Sequence, residues 1–470
     1  MPNYYSLIAE SAAAYPADLA IRWPSTGGST LELTFAQLTR QTHAVRHQLR
    51  TQGVQAGDVC LLAIPTSLSA VITILALMAE GAIPLLPPAE MSVTQWLRIR
   101  KQYRMNTVIT SPRPPLKLRL LSFLLGSKLI SLVPPSAPSA EHPPVPVSET
   151  QPALITFSSG STGRPKAIER SHAVLQQQHR ALLHHFPAQP RTLDVPLFPN
   201  VLLHNLAAGV GTVLPNIPGL RLDRLRPERV IDQLRQERPR TLTGNVYYFT
   251  QLVDYAETQG IQLPDVEAVG VGGSPVPEPL LARLQQLFVA ARLYVIYGSS
   301  EAEPIAVREF TRAEAPLRGY AVGAIHPGLR WKLVPTDRLS DGPTGELWVT
   351  GPHVVLPDRD AWFATGDVGY VSQGELFLTA RRGNEALVDR KQHYQLEHYL
   401  YHQTGVKKAA AVVNGPRFDI FFEGVATIEA VRASLVQVIA PACLGTVRRV
   451  RQLPTDRRHH SKILYHRLRT

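Results

Sequence analysis

Residues 155–166 read Ile155-Thr156-Phe157-Ser158-Ser159-Gly160-Ser161-Thr162-Gly163-Arg164-Pro165-Lys166, an apolar run followed by small and hydroxylated residues and closed by a cation. That is the chemistry of a phosphate cradle. Glycines let backbone N–H groups converge with no Cβ in the way, hydroxyls add donors, and Lys166 supplies a point charge to the oxyanions. Pro165 before the lysine and Ala167 after it exclude a Walker A loop. A flexible Ser/Gly linker shares the composition, but this stretch issues from an apolar run and ends in Pro-Lys.

Four further clusters carry related chemistry. An apolar run at 266–271 ends at Gly272-Gly273-Ser274-Pro275, where a ligand could touch backbone at the carboxyl edge of a parallel sheet; taken alone, the dipeptide is more often just a turn. Leu293-Tyr294-Val295-Ile296-Tyr297-Gly298-Ser299-Ser300-Glu301 sets an aromatic, a glycine, hydroxyls and a carboxylate after a strand. Trp362-Phe363-Ala364-Thr365-Gly366-Asp367-Val368-Gly369 presents a carboxylate, which suits a vicinal diol because its two oxygens accept two donors at once. Leu453-Pro454-Thr455-Asp456-Arg457-Arg458-His459-His460-Ser461-Lys462-Ile463 could be a solvated basic tail, yet its lysine is led by proline and flanked by apolar residues.

With the stretch around Arg381, these motifs resemble, in order, those of the acyl-adenylate-forming (AMP-binding) superfamily of acyl-CoA synthetases, luciferases and peptide-synthetase adenylation domains. Residues 83–90 and 297–304 and the tail form Pro-x-Asp-x-Arg-His-x-x-Lys-Ile look most like its olefin-pathway β-lactone synthetase branch. The resemblance implies an ATP site made by Ser158, Ser159, Gly160, Ser161, Thr162, Gly163, Lys166, Gly273, Ser274, Tyr297, Gly298, Ser299, Ser300, Asp367 and Arg381. Tyr297 would stack on adenine, Asp367 would accept the ribose hydroxyls, and Arg381 would face the ribose. Glu301 would hold Mg2+, an ion that prefers oxygen ligands and commonly pairs one carboxylate with substrate phosphates. Lys462, Glu301 and Lys166 would serve catalysis. Phe198, His204 and Gly272 would line the acid pocket.

The implied reaction is ATP-dependent activation of a carboxylic acid to acyl-AMP with release of pyrophosphate, followed by transfer to CoA or a carrier-protein thiol. Closure of a β-hydroxy acid to a β-lactone is the alternative, and a non-catalytic nucleotide-binding relative is a second, motivated by Ala167, Ser300, Ala380 and a short C-terminal region. No carboxylate that could hold an ammonium stands out near 198–209, so an aliphatic, fatty or β-hydroxy acid is expected rather than an amino acid. Ser461 stands where most of the superfamily has glycine, and Ala380 and Gly383 depart from its hinge pattern.

The elements that must hold these residues follow an α/β pattern. Thr34-Phe35-Ala36-Gln37 reads as a capping box opening a helix with Leu38, Val45 and Leu49 on one face. Apolar runs at 59–65 and 81–86, separated by a helix at 70–79, make a βαβ unit and predict a parallel sheet. A helix at 96–105 and a strand at 107–110 continue it. Residues 116–125 form a basic, leucine-rich segment, expected as a surface helix whose leucines cover the sheet while Lys117 and Arg119 snorkel; docking on an acidic membrane surface or lining the route of an acyl chain are the other readings. A proline-rich connector at 134–152 precedes the phosphate loop. Further helices are expected at 171–183, 231–235 and 247–256, and a small α+β region after the hinge at 395–400, 407–413 and 428–439. The resemblance gives a large N-terminal doubly wound α/β region with a small β subdomain at 1–380, a hinge at 381–383 and a mobile C-terminal α+β lid at 384–470.

The 470 residues are enough for more than one core. Hydrophobic residues at 44% and charged ones at 18% describe an ordinary globular chain, not a disordered or fibrous one. A net charge of +12 is compatible with anionic small substrates, nucleic acid or an acidic membrane surface, but no nucleic-acid module is legible and none is expected as a partner. Cys60 and Cys443 are far apart in apolar surroundings and form no metal or redox motif, which points to a reducing, cytoplasmic setting. Pro65, Glu80 and Pro84 interrupt the longest apolar region, so no membrane span is expected, and the start lacks a secretory signal pattern.

Overall fold

The computed structural model describes residues 3–24, 30–88, 91–133, 142–159, 165–335, 344–358, 360–456 and 460–468; the chain falls into two compact units, 1–220 and 221–470. In the first unit helix α1 (Tyr5–Ala14) leads to the antiparallel pair β1 (Leu19–Pro24) and β2 (Thr30–Thr34). Thr34 then caps α2 (Phe35–Thr51), and the expected capping box is present. The Gln37 N–H donates to Thr34 Oγ1 at 3.2 Å, and the Thr34 N–H donates to Gln37 Oε1 at 2.8 Å.

Strand and helix then alternate as the apolar runs predict, through β3 (Val59–Ala63), α3 (Leu68–Glu80), β4 (Ile83–Leu85), α4 (Val93–Tyr103), β5 (Thr107–Thr110), α5 (Leu116–Leu124) and β6 (Lys128–Ser131). With β7 (Pro152–Ser159) and β8 (Pro165–Ser171) they form a six-stranded sheet ordered β6-β5-β3-β4-β7-β8, parallel except for β8. Both faces are covered. Cys60, Leu62 and Ile109 enter one apolar cluster, whereas their neighbours Leu61 and Val108 enter another with Trp96 and Ile99 of α4. Alternate residues of one strand buried on opposite faces are the reason these strands read as continuous apolar runs. Helix α6 (His172–His185), β9 (Leu193–Pro196), α7 (Pro199–Ala207) and β10 (Gly211–Val213) complete the unit, with strands ordered β9-β10-β1-β2.

The second unit repeats the pattern and then abandons it. Helices α8 (Pro227–Glu237), α9 (Val246–Gln259) and α10 (Glu278–Leu287) alternate with the parallel strands β11 (Thr241–Asn245), β12 (Ala268–Gly272) and β13 (Arg292–Ser299). Antiparallel strands follow: β14 (Ala302–Glu309), β15 (Tyr320–Ile325), β16 (Arg330–Val334), β17 (Gly345–Thr350), β18 (Phe363–Ser372) and β19 (Glu375–Arg381), ordered β13-β14-β15-β19-β18-β17-β16. After Arg381 the chain builds a separate sheet, β20 (Val406–Asn414), β21 (Arg417–Gly424) and β22 (Leu444–Arg449), with α11 (His393–Tyr401) and α12 (Ile428–Leu435). Leu396, Leu400, Phe418, Ile420, Phe422 and Leu435 are the centre of its own apolar cluster.

Candidate active site

Asp367 lies on β18 directly across from Arg381 on β19, the two Cα positions being register partners. Arg381 Nη1 approaches Asp367 Oδ1 at 2.6 Å, and the Tyr297 hydroxyl, from the end of β13, donates to Oδ2 at 2.8 Å. Three strands therefore deliver one side chain each to a single carboxylate. Burial, then the charge of Asp367, holds the Tyr297 phenol well above its usual pKa, so it remains an O–H donor. Asp367 likewise raises the Arg381 guanidinium. Gly366, with φ +76°, sets the turn, and Thr365 Oγ1 accepts the Asp367 N–H while donating to Leu347 O at 2.9 Å. Each Asp367 oxygen is thus held by one donor and keeps a second lone pair for a diol hydroxyl.

Close backbone approach marks the neighbouring strand end. A Cβ on Gly272 would stand 2.6 Å from Ile296 O, so only glycine lets β12 lie against β13 here. Just beyond, Ser274 Oγ is buried without a hydrogen-bond partner among the described residues, as is Ser299 Oγ at the end of β13. Orphaned buried hydroxyls beside glycine backbone are donors fitted to a phosphate or ribose oxygen. Glu301 is half-buried between β13 and β14, and Ser300 is exposed. Among the described residues no group of three or more His, Cys, Asp or Glu could hold a metal unaided, so an ion at Glu301 would take its other ligands from phosphates and water.

Lys462, which the resemblance assigns to catalysis, is exposed. Its N–H donates to Asp456 Oδ1 and its carbonyl accepts the Asp456 N–H, both at 3.0 Å, while Thr455 and Ile463 bridge as an antiparallel pair. Behind the loop, Tyr465 donates its hydroxyl to the buried Glu397 carboxylate, which also accepts the Ala411 N–H. His393 completes the connection: Nε2 accepts the Arg381 N–H at 2.9 Å, so Nδ1 carries the proton and donates to Glu397 at 3.1 Å. Asp456, His393, Glu397 and Tyr465 were missed as site-supporting residues. The i, i+4 spacing of His393 and Glu397 on one helix was the available signal.

In the first unit the described residues on either side of 160–164 belong to two strands, β7 and β8, that pair antiparallel. Ser158 on β7 pairs with Lys166 on β8, and Lys166 is exposed. Gly160, Ser161, Thr162 and Gly163 lie outside the described residues, and Ser159 ends β7. Phe198 stands at the N-cap of α7 and His204 one turn from its end. His204 is buried, with Nδ1 3.0 Å from Nδ1 of His179 on α6, so only one of those two nitrogens carries a proton. Burial lowers both imidazoles and keeps the pair neutral, while His204 Nε2 has no hydrogen-bond partner among the described residues. His179 was not singled out from the sequence.

Residues 8–356 match the family described as AMP-binding enzyme, and the chain belongs to that family. It is an adenylate-forming enzyme. It is 24% identical over 439 residues to an olefin beta-lactone synthetase of Xanthomonas campestris pv. campestris, covering 81% of this chain and 78% of that one. It is 26% identical over 457 residues to the 4-coumarate--CoA ligase-like 9 protein of Arabidopsis thaliana, covering 86% and 79%. Among solved structures, the amide bond synthetase McbA from Marinactinospora thermotolerans shares the fold, with a TM-score of 0.82 at 21% identity over 99% of both chains.

Proposed function

We propose that the protein uses MgATP to activate an aliphatic carboxylic acid, in which a carboxylate oxygen attacks the α-phosphorus and pyrophosphate leaves. The observation that carries this reading is the Asp367 carboxylate, gripped by Tyr297 and Arg381 yet able to accept two more hydrogen bonds. In that role Asp367 takes the ribose hydroxyls and Arg381 neutralises the carboxylate behind them. Tyr297 holds Asp367 with its hydroxyl and offers its ring to adenine. Ser158, Ser159, Lys166 and residues 160–163 take the phosphates, with Ser274 and Ser299 adding hydroxyls near the nucleotide. A magnesium ion held by Glu301 and the phosphates supplies charge neutralisation. Lys462 contacts the carboxylate and α-phosphate as charge develops, so catalysis is alignment and electrostatics with no covalent protein nucleophile. Phe198, His204 and Gly272 line the acid pocket, where the neutral histidine pair adds no charge against an alkyl chain. Residues 381–383 act as the hinge between 1–380 and a mobile lid, 384–470. The unpaired thiols Cys60 and Cys443 suit a cytoplasmic setting.

The acyl group then passes to a thiol of CoA or a carrier protein, whose sulfur attacks the acyl carbon and expels AMP; similarity to the CoA ligase-like protein supports this fate. Similarity to the olefin beta-lactone synthetase favours a second reading, in which a β-hydroxyl of the acid attacks its own acyl carbon and AMP leaves. Pyrophosphate exchange with a panel of alkyl, β-hydroxy and amino acids tests the first step, and absence of exchange with every acid would sink it. Incubating MgATP with a long-chain β-hydroxy acid and no thiol separates the fates. A product lighter than the acid by one water selects the lactone, whereas turnover only on adding CoA selects the thioester.

A further inference from the structure

Helix α5 was expected to lay its leucines on the sheet, and only half of them do. Leu118, Leu121 and Leu125 pack on the cluster of Trp96, Ile99 and Val108, whereas Leu116 is 76% exposed, Leu120 56%, Phe123 82% and Leu124 69%. At about 100° per residue, these four exposed side chains span an arc of about 100°, with Arg119 at one edge and Lys117 at the other. Helix α4 packs on the same cluster through Trp96 and Ile99 and exposes Val93 and Leu97, one turn apart. Water gains nothing from such a face, and singly scattered apolar residues do not form one.

The charge around the face identifies what covers it. Residues 91–133 contain eight Lys and Arg and not one Asp or Glu. Arg113, Lys117 and Arg119 are exposed and make no ion pair among the described residues. We propose that the outer face of α5 docks on an anionic lipid bilayer, Leu116, Leu120, Phe123 and Leu124 entering the acyl boundary while Lys117, Arg119 and Arg113 meet headgroup phosphates. Nine residues are far too few to span a bilayer, which takes about 20, so the helix lies in the interface plane. A second copy of the chain fits this face poorly, because apposing two such surfaces brings cation against cation, and the cores of protein interfaces are depleted in charge. The proposal is independent of which acid the enzyme activates.

Flotation of the full chain with phosphatidylcholine vesicles, with and without phosphatidylglycerol, tests it, using pyrophosphate exchange in vesicle-free solution to confirm that each variant is folded. Wild type is expected to float with the anionic vesicles and to be released by salt. Lys117→Glu with Arg119→Glu is expected to weaken binding at least about ten-fold, since each cation near an anionic surface contributes several-fold. Leu120→Glu with Phe123→Glu is expected to abolish it, because both exposed side chains would have to carry charge into the acyl boundary. No flotation of wild type, or flotation equal in all variants, would overturn the proposal. So would a wild-type dimer that the Leu120→Glu, Phe123→Glu variant dissociates, or capture of wild type by an acidic carrier protein through this face with no vesicle binding.

Discussion

Asp367 is shared between two donors from different strands, so truncating it removes a nucleotide contact and frees a tyrosine and an arginine together. Asp367→Ala is expected to raise the ATP dissociation constant by about 10- to 150-fold, the equivalent of about 1.5–3 kcal/mol for hydrogen bonds to a charged group. Isothermal titration checks this, and an unchanged constant would remove Asp367 from the ribose site. Lys462→Ala is expected to lower acyl-AMP formation by about 10²- to 10³-fold with folding intact, the range for one well-placed transition-state donor. Asp456 positions that lysine through the two hydrogen bonds that close its loop. Asp456→Ala should therefore reduce the adenylation rate more than ATP affinity, and Asp456→Asn, which retains an acceptor oxygen, should recover part of the loss. Equal rates for Asp456→Ala and wild type would show that the loop does not orient Lys462.

At the scale of elements, Glu397 joins α11, β20 and the C-terminal loop by accepting from His393, Ala411 and Tyr465. Glu397→Ala strands three buried donors, each costing about 1–3 kcal/mol when unpaired. The expected outcome is early loss of amide protection in 384–468, with residues 3–220 keeping theirs, measured by hydrogen exchange; uniform protection across the chain would contradict the junction. Locally only the i, i+4 spacing of His393 and Glu397 announced this junction, because its other members, from Arg381 to Tyr465, meet them through tertiary packing. Local signals served well where local physics decides: the Thr34 capping box and the apolar runs of β3, β4 and β5 lie where the sequence places them. Side chains of the Tyr297, Asp367 and Arg381 cluster were legible as motifs, but their mutual contact depends on the register of β18 and β19. The β7–β8 pairing was hidden for a different reason. Lys166 continues a charged, alternating stretch whose strand character comes from pairing with β7 rather than from its own composition.

Across the molecule, buried histidines tie stability to pH. Burial holds His172 and His398 at about 4, against about 6.5 in an unfolded chain. His172 Nδ1 accepts the Tyr4 N–H, and His398 Nδ1 donates to Pro316 O, so protonating either puts a second N–H in a buried site. Below pH 6.5 the unfolded chain binds protons that the native chain refuses. Stability, full above that value, should fall toward pH 4 by about 1.4 kcal/mol per pH unit for each such histidine. Denaturant midpoints at several pH values check this, and a flat profile between pH 6.5 and 4.5 would contradict it. The acid-free stretch at 91–133 has a separate consequence. It holds +8 of the net +12, residues 444–470 hold a further +7, and the rest of the chain sums to −3. The positive charge is therefore gathered in two stretches instead of being spread evenly along the chain. Over the first of them the local field draws an anionic surface closer before any side chain makes contact, so the rate of encounter should fall as salt is added.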